Sequence, residues 1–113
     1  MQISDLARNT GTSARSLRHY ESAGLLPSTR RSNGYRDYSD EASARVMQIR
    51  ALLTAGLNLA EIRQLLSCVI DDRPKLRRCN TIRAIVEHRL TDLDRRIAQL
   101  TTARTLLADS LNT

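Results

Sequence analysis

Residues 11–27, GTSARSLRHYESAGLLP, decide how the rest of the chain is read. Thr12 or Ser13 can cap a helix, because a hydroxyl just before the first turn accepts one of the backbone N–H groups that a helix start leaves unpaired. The helix then carries Arg15, Leu17, Arg18, Tyr20 and Glu21. It stops at Gly24, with Pro27 just beyond as a residue that cannot continue it. Upstream, Ile3, Leu6 and Ala7 fall at helical spacing, with Ser4 or Asp5 in the opening turn and Gly11 after the end. Two short helices joined by a tight turn are a helix-turn-helix, in which the second helix is the one offered to a DNA major groove.

Downstream, residues 27–38 read PSTRRSNGYRDY, and Asn33-Gly34 is the strongest two-residue hairpin signal in the chain. The spacing predicts a small β-ribbon, a wing, over residues 28–38. Ser39 or Asp40 caps an accessory helix over 40–55, where Ala42, Val46, Ile49, Leu52 and Leu53 recur at steps of three and four until Gly56. A second accessory helix over 58–67 is capped by Asn58 and turns Leu59, Ile62, Leu65 and Leu66 to one side. Residues 71–79 read as a hinge between a DNA-binding domain, 1–70, and a long terminal helix, 80–113.

That last helix has no Gly or Pro from Asn80 to Leu111, and about 32 residues at roughly 1.5 Å each reach on the order of 48 Å. Its apolar positions Val86, Leu90, Leu93, Ile97, Leu100, Leu107 and Leu111 form a heptad-like seam interrupted at Arg104. Arg89, Asp92, Arg95, Arg96 and Asp109 flank the seam with both signs of charge, as on the solvated sides of a coiled coil. With 113 residues there is no room for a second independent core that would cover such a rod, so the seam predicts pairing with a second copy.

Composition narrows the partner. The chain is 41% hydrophobic and 27% charged with mixed signs, which fits a soluble folded protein and excludes a disordered one. Three Tyr with no Phe or Trp imply an aliphatic, mainly α core. No apolar run approaches a membrane span and the first residues are not a secretory leader, so a cytoplasmic protein is expected. Eighteen basic against twelve acidic residues give +6, and six arginines between Arg8 and Arg36 face one acid, Glu21. Arg15, Ser16, Arg18, His19 and Tyr20 ride the second helix, while Arg30, Arg31, Tyr35, Arg36 and Tyr38 decorate the wing. Guanidinium groups suit bidentate contact with guanine edges and phosphates, and tyrosyl hydroxyls donate to phosphate. The joint pattern points to double-stranded DNA.

Three strings carry a family likeness: SLRHYESAGLLP at 16–27, RSNGYRDYS at 31–39 and GLNLAEIRQLL at 56–66. Together they resemble the N-terminal domain of the mercury-resistance regulator (MerR) family of bacterial transcription regulators, over Ile3 to Leu66. The resemblance implies a winged helix-turn-helix homodimer whose long helices pair as an antiparallel coiled coil. It also implies a palindromic promoter element that is bent and untwisted to suit RNA polymerase, and a nucleoid location. By positional match Arg15, Ser16, Arg18, His19 and Tyr20 would lie at the groove, and Arg31, Tyr35, Arg36 and Tyr38 at the phosphates. Family members follow the DNA-binding half with a drug-binding domain or a cysteine-bearing metal loop. Neither is expected within residues 1–113, yet Cys79 matches the place where divalent-metal sensors of the family put their first cysteine. A divalent metal ion or a thiol-reactive effector at Cys79 is what the likeness implies.

Read from the residues alone, Cys68 and Cys79 form no CxxC pair and are expected as reduced thiols. Cys68, among Leu65, Leu66 and Val69, reads as core filler. Cys79, among Arg73, Lys75, Arg77, Arg78 and Arg83 at a helix start, sits where a thiolate is favoured. A redox pair across the hinge stays open. His19 is expected to face DNA and His88 solvent, and neither has ligands spaced for a metal shell. No phosphate loop, nucleophile elbow or zinc-protease pair occurs, so no enzyme is expected. Two other classes compete with a regulator: an effector-independent DNA-bending architectural or excisionase-like accessory protein, and an interaction adaptor with an incidental basic face.

Overall fold

The computed structural model describes residues 1–30, 34, 36–70 and 76–112. It is mainly helical. Helices α1 (Ile3–Thr10) and α2 (Ala14–Ser22) are followed by strands β1 (Thr29–Arg30) and β2 (Arg36–Asp37), then by α3 (Ala42–Thr54), α4 (Leu59–Ile70) and α5 (Leu76–Leu111). Local chemistry accounts for most of these ends. Gln2 and Asp5 form a capping box at α1, and Asn58 and Glu61 do the same at α4, where Asn58 Oδ1 accepts from the Glu61 N–H at 2.8 Å and Glu61 Oε1 from the Asn58 N–H at 2.9 Å. Of the two hydroxyls expected at α2, Ser13 is the cap, accepting from the Ser16 N–H at 3.1 Å.

The core is built by Leu6, Leu17, Tyr20, Leu25, Leu26, Tyr38, Ala42, Val46, Ile49, Leu57, Ile62 and Leu66. Helix α1 packs on α2 and α3, α3 on α4, and α4 on α5. Ile82 of α5, 1% exposed, is the described residue of the rod that is fully covered. Each such aliphatic side chain contributes on the order of 1.5–3 kcal/mol by leaving water. From Asp94 to Asn112 every described residue of the rod is exposed. The radius of gyration is 18.7 Å and the longest extent 68 Å, whereas a compact chain of this length has a radius of about 13 Å. Among the described residues no helix is long and apolar enough to cross a membrane.

Three boundaries depart from the expectations. Neither Ser39 nor Asp40 caps α3; Glu41 holds that position without a side-chain bond, and the Ala42 N–H turns back to the Ser39 carbonyl at 3.1 Å. The ribbon pairs Thr29 with Asp37 and Arg30 with Arg36; Asn33 of the expected Asn33-Gly34 turn lies outside the described residues. Helix α4 continues to Ile70, which brings Cys68 onto it, and α5 begins at Leu76, so residues 76–79 of the expected hinge are helical. The remaining hinge residues, 71–75, lie outside the described ones.

Candidate nucleic-acid interface

The turn between α1 and α2 is held from three sides. Gly11 adopts φ 64°, a left-handed conformation that costs a residue with a Cβ about 1–2 kcal/mol. The Thr12 N–H returns to the Ala7 carbonyl at 3.2 Å. From α3, Arg50 Nη1 donates to the Thr10 carbonyl at 2.8 Å and to Thr12 Oγ1 at 3.3 Å. With the turn set, α2 divides cleanly. Leu17 and Tyr20 enter the core, while Arg15, Arg18 and His19 are exposed and Ser16 is half-buried. Arg15, Ser16, Arg18, His19, Tyr20 and Ser22 border one shallow depression on that side. Three donors of the expected set therefore share an open helical face, at the i, i+3, i+4 spacing of residues 15, 18 and 19.

The base of the wing is tied to the end of α2 by Glu21. Its Oε1 accepts from Ser28 Oγ at 2.7 Å, and its Oε2 accepts from the Tyr38 hydroxyl at 2.7 Å and pairs with Arg36 Nη1 at 3.3 Å. This residue was visible in the sequence only as the lone acid in a basic stretch; that isolation was itself the signal of an internal partner. Its carboxylate sets the angle between the helix and the ribbon, because it is bonded to both.

Tyr38 is corrected by the same geometry. Expected at the phosphates, it is 2% exposed and its hydroxyl is used inside the protein. Tyr20, expected at the groove, is also buried, at 7% exposed. The physical reason lies in composition: a chain without Phe or Trp takes its aromatic volume from Tyr, and a buried phenol is tolerated when its O–H finds an acceptor. Arg36 stays half-exposed, with one guanidinium edge on Glu21. Arg31 and Tyr35, the other wing residues of the set, lie outside the described residues.

Burial, reinforced by the Glu21 carboxylate, raises the Tyr38 phenol above its ordinary range. Because the folded-state value is raised, the stability contributed is fully present below pH about 10 and is lost as pH rises through the folded value. Tyr38→Phe should cost about 1.5–3 kcal/mol at neutral pH, the worth of one hydrogen bond to a charged acceptor. In urea melts the gap between wild type and variant should shrink above pH 10. A constant gap would mean that Glu21 does not hold the phenol.

Along α5, Val86 and Leu93 are half-buried in the single chain, whereas Leu90, Ile97, Leu100, Leu107 and Leu111 are exposed, rising from 53% at Leu90 to 89% at Leu111. Flanking ion pairs run along the helix, Arg83 with Glu87 at 3.2 Å and Arg95 with Asp92 at 3.6 Å. His88 is exposed, as expected, with Asp92 at 3.6 Å.

The cysteines are not the reduced thiols expected. Cys68 and Cys79 are joined as a disulfide between α4 and the first turn of α5, with Cα atoms 5.7 Å apart. Cys68 is thus not core filler, and Cys79 lies within α5 rather than ahead of it. The continuation of α4 to Ile70 and the early start of α5 bring the two together. A metal ion does not fit here: the Cys79 sulfur is already bonded, and among the described residues no three His, Cys, Asp or Glu side chains gather.

Two family models match the chain, one described as MerR HTH family regulatory protein over residues 1–68 and one as MerR, DNA binding over residues 43–109. The HTH-type transcriptional regulator HmrR of Rhizobium leguminosarum bv. viciae is 33% identical over 107 residues, 95% of this chain and 81% of its own length. Among solved structures, the transcription regulator PbrR691 from Ralstonia metallidurans CH34 in complex with lead(II) is 33% identical, with a TM-score of 0.64 over 96% of this chain and 83% of that one. HiNmlR, described as a MerR family regulator lacking the sensor domain and bound to promoter DNA, is 27% identical, with a TM-score of 0.71 over 97% of this chain and 86% of its own.

Proposed function

The chain belongs to the MerR family of DNA-binding transcription regulators, and from that premise we propose that it acts as a homodimer on a palindromic promoter element. Residues 1–70 serve as the reading head and 80–113 as the rod that holds two heads at a set separation. The observation that carries this is the exposed seam of α5. Leu90, Ile97, Leu100, Leu107 and Leu111 stand more than half exposed along α5. A lone monomer rarely tolerates so long an apolar stripe in water, and an antiparallel second copy would cover it.

Each head then presents the Arg15, Arg18 and His19 face to a major groove, and the Glu21 clamp carries the wing toward the flanking backbone. Counterion release from phosphates offsets the cost of bending and untwisting the duplex between the half-sites. RNA polymerase would be the beneficiary of that deformation, and a bacterial cytoplasm the setting. A supporting feature is charge, since most of the basic excess lies between Arg8 and Arg36.

Binding to duplexes selected from a random pool, compared with scrambled DNA across a salt series, tests the reading. A homodimeric regulator retains a strong preference at moderate salt. Equal binding would indicate an architectural protein, and no binding an adaptor. Arg18→Ala should weaken the selected duplex by about 5- to 150-fold for each half-site, the worth of one bidentate base contact, and relax base choice at one position in each half-site. Its melting temperature should not move, because the Arg18 side chain is exposed. A uniform loss on all sequences would reassign Arg18 to phosphate.

A further inference from the structure

We propose that Cys68 and Cys79 form a reversible thiol–disulfide site that locks the joint between the DNA-reading half and α5, with a low-molecular-weight disulfide as its co-reactant. The effect on DNA binding rests on the function proposed above; the chemistry of the pair does not. The two residues belong to different helices and their Cα separation of 5.7 Å lies within the range a disulfide spans. Both cysteines are half-buried and both line an open groove between α4 and α5, with Leu65, Ile82, Val86 and Leu90 as its apolar walls. A small reagent therefore has a path to the sulfurs.

The two cysteines are placed differently. Cys79 is the fourth residue of α5, at the positive end of that helix, and Arg83 follows one turn later on the same face. Cys68 lies in the last turn of α4, at the opposite end of a helix dipole. This placement makes Cys79 the attacking sulfur. The Cys79 thiolate attacks one sulfur of the co-reactant RSSR, forming a Cys79–S–S–R mixed disulfide as the S–S bond of RSSR breaks, and the departing RS⁻ takes up a proton to leave as RSH. Cys68 then gives up its proton and displaces the second RSH. Two thiols and one RSSR become one internal disulfide and two RSH, with the protein oxidised and the reagent reduced by two electrons.

The bond spans the joint at which α5 is packed on α4. Ile82 and Ile85 seat α5 against the core, and a methyl group at Gly56 would lie 3.6 Å from the Arg89 guanidinium, so the rod also abuts the turn between α3 and α4. Covalent closure across 11 residues removes freedom from that joint. Because the angle of α5 to the head sets the separation of two recognition helices, the oxidised and reduced proteins present different spreads of half-site spacing.

The test equilibrates the full chain with mixtures of glutathione and glutathione disulfide, counts thiols by the mass added by a maleimide, and follows amide hydrogen exchange over residues 79–85. Both thiols should vanish together, within one chain. Exchange at those amides should slow by about tenfold or more on oxidation, and the oxidised protein should hold a selected duplex at least about fivefold tighter than the reduced one. Persistent glutathione on Cys79, an interchain disulfide, or equal exchange and binding in the two states would overturn the proposal. The C68S/C79S double variant should ignore the redox buffer while still dimerising and binding DNA. If that variant and wild type are both monomeric and blind to DNA, the regulator reading falls, and the thiol count and exchange still decide the site.

Discussion

Ile97→Asp is expected to turn the protein into a monomer at micromolar concentration and to abolish preference for a palindromic duplex. Ile97 is 61% exposed in the single chain and lies near the middle of the seam, so in an antiparallel pair it approaches its symmetry mate. Removing it forfeits about 1.5–3 kcal/mol of apolar burial in each copy, and the symmetric pair loses this twice. A total of about 3–6 kcal/mol corresponds to two to four orders of magnitude in dimer affinity, before the cost of desolvating two carboxylates is added. Sedimentation velocity over a concentration series reads the result. Gln99→Asp, on the outer side of the same helix, is the control and should remain dimeric. If Ile97→Asp sediments as wild type does, the seam has been assigned to the wrong face of α5. A monomer would still hold one reading head, so weak binding with the salt dependence of a single half-site should survive.

The second large effect is on stability. Leu17→Ala should lower the unfolding free energy by about 2–5 kcal/mol, measured in urea with the slope unchanged. Leu17 is fully buried in the middle of α2 and belongs to the core cluster with Leu6, Tyr20 and Tyr38. Single domains hold only about 5–15 kcal/mol in all, so this one truncation takes a large share. The informative comparison is with Arg18→Ala, one residue along the same helix. One side chain faces inward and the other outward, so the first change should lower melting without altering base choice in the folded fraction, and the second should do the reverse. A loss below about 1 kcal/mol for Leu17→Ala would mean that α2 is loosely seated on its core.

Both predictions draw on features visible in the letters of the chain. The hydroxyl cap at Ser13, the Asn58–Glu61 box, the left-handed Gly11 and the unbroken helix through Leu111 depend on interactions within one or two turns, and such interactions travel with the local sequence. The open face of α2 follows likewise, because a period of 3.6 separates Leu17 and Tyr20 from Arg15 and Arg18. The mismatches are of another kind. Tyr38 and Tyr35 look alike in a basic ribbon, and what assigns Tyr38 to the interior is the carboxylate of Glu21, 17 residues away, together with the helices that exclude water around it.

Helix positions, their caps and the polarity of each face were thus determined by the order of amino acids, since backbone hydrogen bonds and apolar periodicity are short-range. Tertiary structure alone decided which tyrosines are core and that Glu21 joins helix to wing. It alone brought Cys68 to Cys79, because that meeting depends on how the end of α4 is packed against the start of α5. No spacing of 11 along the chain specifies a distance of 5.7 Å. Packing does, by bringing two helix ends to one wall of the same groove.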